Sequence, residues 1–428
     1  MLKIYLCFII CLITLSSLKS QTVEIPDPAL RAFLKNQFPD CFDWNEKLDT
    51  TCSAILSATG IRMNKQSVSS LNGLQYFDSL TNIEVFNSSI DTVNFLPPSL
   101  NSLYITNCKI KAFESLPPAL TVLTCYSNSL KKLPAIPVKL ESLICYSNQL
   151  DSLPLLPGTL KFLDCRSNYL KGLPALPTSL RYLDYLGNTI RQPGLLPDSL
   201  VYLNCSSNQT DTLPQLPPNL KEFIFVNNNI TTIPALPSRL EHLDGRLNKI
   251  TTLPHLPELK QLYLEGNQIS TIEKFPESLQ IIDIAANPIL CLPVLPSALE
   301  ELYLDTTITC LPNEVSGLLI YENGKFSGFA KVADRIVCDS SSAGMCGKIL
   351  GYSSHRQKSP AALYPNPVTS HLFFKTPTEG MLTLINSLGE EVFRARISGN
   401  TGTDLTEVAP GIYQAVLNGI SLGIIVRQ

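Results

Sequence analysis

The feature that most constrains this chain is an asparagine that returns every twenty residues. Asn128, Asn148, Asn168, Asn188, Asn208, Asn228 and Asn248 are equally spaced, Asn267 follows at nineteen and Asn287 at twenty. Ser88, Cys108 and Thr307 hold the same place in flanking copies, and a looser copy centres on Gln66. About thirteen copies therefore fill residues 61–312. A period of this kind means a solenoid. One copy is too small to bury its own apolar face, so copies must stack and share a core.

One copy, residues 120–130, reads LTVLTCYSNSL. Leu120, Leu123, Cys125 and Leu130 are expected to point inward, while Val122, Thr124 and Tyr126 alternate outward as in a short strand. Successive strands lie side by side and parallel, ~4.8 Å apart. The asparagine that ends each strand faces inward. A buried amide is costly unless bonded, so it is expected to tie its own turn to the next one.

Between the strands the chain insists on proline. Leu133-Pro134 precedes Pro137, Leu153-Pro154 precedes Pro157, Leu173-Pro174 precedes Pro177, and Leu213-Pro214 precedes Pro217. Proline at every third residue excludes a helix and favours an extended polyproline-II return. The expected fold is an α/β-type solenoid dominated by β: right-handed, with a parallel sheet on one side and an extended convex side.

The ends differ from the repeats. Residues 1–20 carry Lys3 and then an apolar run from Ile4 to Leu15, the layout of a secretory signal peptide. Without them the net charge is −5, and no cluster of cations suggests nucleic acid. No later segment is apolar for long enough to be a membrane helix. In residues 21–60, Asp27-Pro28 before ALRAFLKNQF predicts a capped helix that covers the first strand's edge. Residues 313–350 read as a C-terminal cap and 351–362 as a polar linker. Residues 363–428 alternate strand-like runs with Gly, Asn and Thr turns, and predict a small antiparallel β-sandwich.

Export places the cysteines in an oxidising compartment. Cys41 with Cys52, and Cys338 with Cys346, bracket the two caps and are candidate disulfides; Cys291 and Cys310 are stacked and form a weaker candidate. Cys125, Cys145, Cys165 and Cys205 repeat at one inward position and read as small apolar core residues. No His or acid projects inward beside them, so no metal and no cofactor is expected.

The outward strand positions form the expected concave face. Aromatic and aliphatic side chains dominate it: Tyr104, Tyr126, Ile144, Tyr146, Phe162, Tyr182, Tyr202, Tyr263 and Tyr303. Asp164, Arg166, Asp184, His242, Asp244 and Arg246 interleave with them as exposed charges. Such a surface is the chemistry of a recognition face. His242, Asp244 and Arg246 share a strand, but no nucleophile accompanies them, so catalysis is not expected.

The repeat resembles the short bacterial class of leucine-rich repeat proteins, whose turns read LPxLPxxLxxLxCxxNxL. Some members of that class carry a C-terminal ubiquitin-ligase domain. This chain instead has a leader-like start and no large domain behind the repeats, so that activity is not carried over. IPDPALRAFL resembles the N-terminal caps of surface repeat proteins from Bacteroidota. The tail resembles the C-terminal sorting domain of the type IX (Por) secretion system. The matching residues are Tyr364-Pro365-Asn366-Pro367, the INSLGEEV hairpin around Gly389, and Gly411-Ile412-Tyr413 after Pro410, with Arg427 in place of a terminal lysine. That resemblance implies outer-membrane export by the type IX machinery, removal of the tail, and release or attachment to surface lipopolysaccharide. The expectation is a secreted or surface-displayed protein that binds a protein or glycan through its concave face. A structural coat component and, further off, a polymer-degrading accessory enzyme are the rival readings.

Overall fold

The computed structural model describes residues 21–64, 67–308, 310–322, 325–329, 363–364, 371–374, 380–385, 391–397, 403–417 and 420–427. The leader-like stretch 1–20, the Cys338–Cys346 pair, the linker, and Pro365, Asn366, Pro367 and Gly389 lie outside them. The chain forms two compact units, Met1–Lys249 and Ile250–Gln428. Among the described residues no helix is long and apolar enough to cross a membrane.

The first unit opens with a helix, Pro28–Gln37. Asp27 caps it, accepting from the Leu30 amide at 2.7 Å. The second carboxylate oxygen of Asp27 accepts from the Ser69 amide and hydroxyl, both at 2.6 Å, and from the Ser70 amide at 3.1 Å. Burial alone would raise this carboxyl; the hydrogen bonds hold it below its ordinary value. One side chain thus ends the helix and anchors it to the start of the repeats. Cys41, buried, is bonded to Cys52 with Cα atoms 5.5 Å apart.

Parallel strands follow, in sequence order and in register. Gly60–Asn64, Asn82–Phe86 and Ser102–Thr106 have five residues each; Val122–Thr124 and its successors to His242–Asp244 have three. Ladder hydrogen bonds continue past each short strand: the Cys125 amide donates to Ile144 at 2.8 Å and the Ser127 amide to Tyr146 at 3.0 Å. Regular structure stops there because the residue before each asparagine turns into the left-handed region, with φ of 54° at Ser127 and Ser147 and 69° at Gly187. Ser, Asn and Gly fill most of these positions, as that conformation favours; Leu247, at 55°, bears the strain without such help.

That turn aims the asparagine into the core. Asn148 Nδ2 donates to the carbonyls of Cys125 and Cys145, both at 3.0 Å, while its Oδ1 accepts from the Leu130 amide at 3.0 Å. Asn168, Asn188, Asn208 and Asn228 make the same bonds one turn later each. The direction corrects the sequence expectation: each amide ties its turn to the preceding one, not the next. The left-handed residue points the side chain back along the stack, where the earlier turn's amide and carbonyl lie open.

The early return segments hold a 3-10 turn at Leu74–Tyr76 and a parallel pair, Thr92–Val93 with Ala112–Phe113. The returns that follow Val122–Thr124 and its successors to Ile281–Asp283 form neither helix nor strand. Each ends in a turn closed by its second proline: the Leu140 amide donates to Pro137 at 3.0 Å and the Leu160 amide to Pro157 at 3.1 Å. Ser or Thr in that turn donates to the previous turn's carbonyl, as Ser179 does to Leu160 at 2.6 Å. Inside, Cys125, Cys145, Cys165 and Cys205 are buried with free thiols. Tyr185 takes the same inward place, buried between Cys165 and Cys205, so a large side chain is accommodated by two small neighbours.

The second unit continues with Gln261–Tyr263, Ile281–Asp283, Glu301–Leu304 and Leu319–Glu322, parallel and in register, and then Lys325–Phe329 antiparallel. Asn287 Nδ2 donates to Leu264 and Ile284, and its Oδ1 accepts from the Ile269 amide. Cys291 and Cys310 are each disulfide-bonded. The tail has two antiparallel sheets: Leu363–Tyr364 with His371–Phe374 and Thr403–Asp404, and Glu391–Ile397, Gly380–Ile385, Gly411–Leu417 and Ile420–Arg427. Leu372, Leu382, Leu384, Leu405, Tyr413 and Ile425 share one buried cluster. Tyr413 donates its hydroxyl to Ala409 at 2.8 Å, and Arg427 Nε donates to Leu405 at 3.1 Å.

Candidate functional site

Because the strands are parallel and in register, identical outward positions stand one above another. Phe162 pairs with Tyr182, and Tyr182 with Tyr202. Their rings stack with centroids 4.0 and 4.3 Å apart and planes within 8° and 4°. A second row starts at Tyr126, stacked on Tyr146 at 4.4 Å and 5°, and the Arg166 guanidinium covers Tyr146 at 4.6 Å. Stacking leaves these rings half-buried rather than exposed, a correction to the open aromatic patch the alternation implied.

The charges between the rows are corrected further. Asp164, Asp184 and Asp244 are 3%, 1% and 5% exposed, although they sit on the outward side. The long side chains on either side close over these short ones. Arg166 Nη2 lies 3.1 Å from Asp164 Oδ2, and Arg246 holds Asp244 with two bonds, at 2.9 and 2.7 Å. Asp184 accepts from the Leu186 amide at 3.0 Å and from Asn204 Nδ2 at 3.3 Å. Burial pushes the Asp164 carboxyl up to about 6; Arg166 opposes this and Asp184 adds to it. Asp184 is raised as well, by its burial. Thr124, on the same row, is buried and its hydroxyl has no partner.

Ile144 and His242 are half-buried, in register with Asp164 and Glu222 respectively. Tyr104 is half-buried between Glu84 and Thr124. In the second unit, Tyr263 is in register with Asp283, and Tyr303 stacks on Tyr321 at 4.3 Å while donating to Glu301 at 2.8 Å. Sequence reading missed Tyr321, because its turn lacks the asparagine that marks the others. The alternation of LLIYE was the available signal.

This arrangement supplies rigid aromatic edges flanked by fixed ion pairs. Among the described residues no group of His, Cys, Asp and Glu is placed to hold a metal.

Residues 362–424 match the family model of the secretion system C-terminal sorting domain. A comparison with curated proteins finds no match. Among solved structures, YopM from Yersinia enterocolitica is 35% identical, over 58% of this chain and 56% of that one, with a TM-score of 0.55. The chain thus spans little more than half the length of that protein. The leucine-rich effector YopM from Yersinia pestis is 26% identical over 62% of this chain and 89% of its own, at a TM-score of 0.48. An internalin from Listeria monocytogenes covers 74% of this chain and 94% of its own at 18% identity and a TM-score of 0.48. The repeats form a parallel β-solenoid similar to that of leucine-rich repeat proteins, and residues 362–424 match a secretion system C-terminal sorting domain.

Proposed function

We propose that this secreted leucine-rich repeat protein recognises another macromolecule, protein or glycan, through the outward side of its strands, and that it works without catalysis. The sorting domain implies handling by the type IX machinery and export to the cell surface or beyond it. Release and attachment to surface lipopolysaccharide are the two fates that follow.

The observation that carries the reading is the Phe162–Tyr182–Tyr202 stack beside the paired Asp164 and Arg166. Its rings are already fixed by their neighbours, so little side-chain entropy remains to be lost when a partner docks. Large rigid aromatics beside arginine are the residue types that dominate binding energy at interfaces. A purely structural stack would stiffen the sheet and do nothing more.

The test is affinity capture from the producer's envelope and from the polymers and cells it meets, with the purified exported chain as bait. A parallel bait carries Tyr182→Ala and Tyr202→Ala. A partner held by the first and lost by the second supports recognition. Capture by neither, or equally by both, favours the structural coat.

A further inference from the structure

The outward side of the first unit carries a second feature, nearer the helix than the Phe162 stack is. A depression of about 570 Å3 opens across the first four strands, lined by Arg62, Asn64, Phe86, Asn87, Asn107 and Tyr126. Its size lies within the ~300–1,000 Å3 of small-ligand sites.

Three side-chain amides run along it as a chain. Asn107 Nδ2 donates to Asn87 Oδ1 at 2.6 Å, and Asn87 Nδ2 donates to Asn64 Oδ1 at 3.0 Å. Asn87 and Asn107 occupy the left-handed position, with φ of 54° and 56°, and the strands set their repeat at ~4.8 Å. In deeper turns Ser or Gly takes this place at most positions. Among the described residues, Asn64 Nδ2 and Asn107 Oδ1 make no hydrogen bond, so the chain ends with an open donor and an open acceptor.

Ring faces complete the depression. Tyr126 has one face on Tyr146, which leaves the other toward the depression it lines. Phe86 lies under the Arg62 guanidinium at 5.7 Å, and that cation is already matched by Glu84 at 3.3 Å. Among the described residues that line it, the walls therefore offer neutral groups that donate and accept, next to apolar faces, with the Arg62 cation paired.

Each candidate ligand class can be weighed against those walls. An anion would want an unpaired cation. An apolar side chain would cover the amides without bonding them and leave each one desolvated and unsatisfied. A sugar ring presents hydroxyls that donate and accept around its rim and C–H groups on its face, which matches amides and rings together. We propose that this depression binds a neutral oligosaccharide. The sugar's hydroxyls bridge Asn64, Asn87 and Asn107, and one ring lies on Tyr126. The inference rests on the outward side being a recognition surface, and names a ligand class for one part of it.

The experiment is titration calorimetry of the full exported chain with neutral hexasaccharides of glucose (β-1,4, β-1,3 and α-1,4), mannose and N-acetylglucosamine. At least one binds, and Asn87→Asp and Tyr126→Ala each weaken it about tenfold or more, ~1.4 kcal/mol. Asn87→Asp tolerates the left-handed backbone while removing both donors, so a folded variant is expected; thermal unfolding verifies it. Leu195→Ala, on an exposed return segment away from the strands' outward side, leaves the affinity unchanged. No binding by any of these sugars, or binding that survives both variants, overturns the inference. No sugar binding together with a partner that depends on Tyr182 would overturn this site alone. Sugar binding that persists while capture ignores Tyr182 and Tyr202 would confine recognition to the depression.

Discussion

Phe225 occupies the space that Gly245 leaves vacant: an ideal Cβ on Gly245 would stand 2.5 Å from Cζ of the Phe225 ring. Both take the inward place that cysteine holds in Cys125 and Cys145. A bulky side chain in one turn is thus accommodated by the smallest residue in the next, as Tyr185 is by Cys165 and Cys205. Gly245→Ala should therefore cost about 1–3 kcal/mol through overpacking. Phe225→Leu in the same chain should recover part of that loss. A double-mutant cycle by denaturant unfolding gives the coupling, and additive effects would refute the contact.

Asn148→Ala should destabilise the chain by about 2–4 kcal/mol. The buried Leu130 amide and the carbonyls of Cys125 and Cys145 would all lose their side-chain partner, and a single water in the space that alanine vacates could not bond every one of them. Asn148→Asp should be little better, since a carboxylate cannot donate to the two carbonyls. Urea unfolding of both variants checks this.

The Asp164 carboxyl should make stability fall as pH rises. Its folded pKa is about 6 against an ordinary 3.8, so between those values the folded chain keeps a proton that the unfolded chain has released. The penalty is absent below the ordinary value, grows through that window, and is constant above it. Asp184 acts in the same direction. Melting temperatures of the chain and of Asp164→Asn, taken from pH 4 to pH 8, should diverge as pH rises, with the variant gaining. Parallel curves would mean that Asp164 ionises freely.

Buried thiols should be inert. Burial pushes Cys125 and Cys205 up to about 12, and Cys145 and Cys165 also rise. Iodoacetamide at pH 8 should therefore leave peptides containing these four unlabelled in the folded chain and label them all in urea. Reducing the Cys41–Cys52 bond should lower stability by about 2–4 kcal/mol, chiefly at the helical end. Hydrogen exchange in residues 28–37, with and without reductant, locates the loss.

How much was legible in the sequence varies with the residue. The inward leucines, the asparagine slot and the proline returns could be read directly, because each turn meets the same surroundings and repetition prints that environment many times over. Asp27-Pro28 was equally readable, since a cap depends on the few residues next to it. What the sequence by itself determined, then, is the period, the identity of the core and the extended return.

Only the tertiary structure decided what depends on side chains twenty residues away. Alternation put Asp164 and Asp184 on the outward side, yet their burial comes from Phe162, Tyr182 and Arg166 closing over them from neighbouring positions. The backward reach of Asn148 follows from the left-handed backbone at Ser147, which no single turn's pattern reveals. The amide chain of Asn64, Asn87 and Asn107 exists because three strands align, although the three residues are not equally spaced in the chain. Lateral register, rather than local propensity, sets these contacts, and register appears only when the turns are stacked.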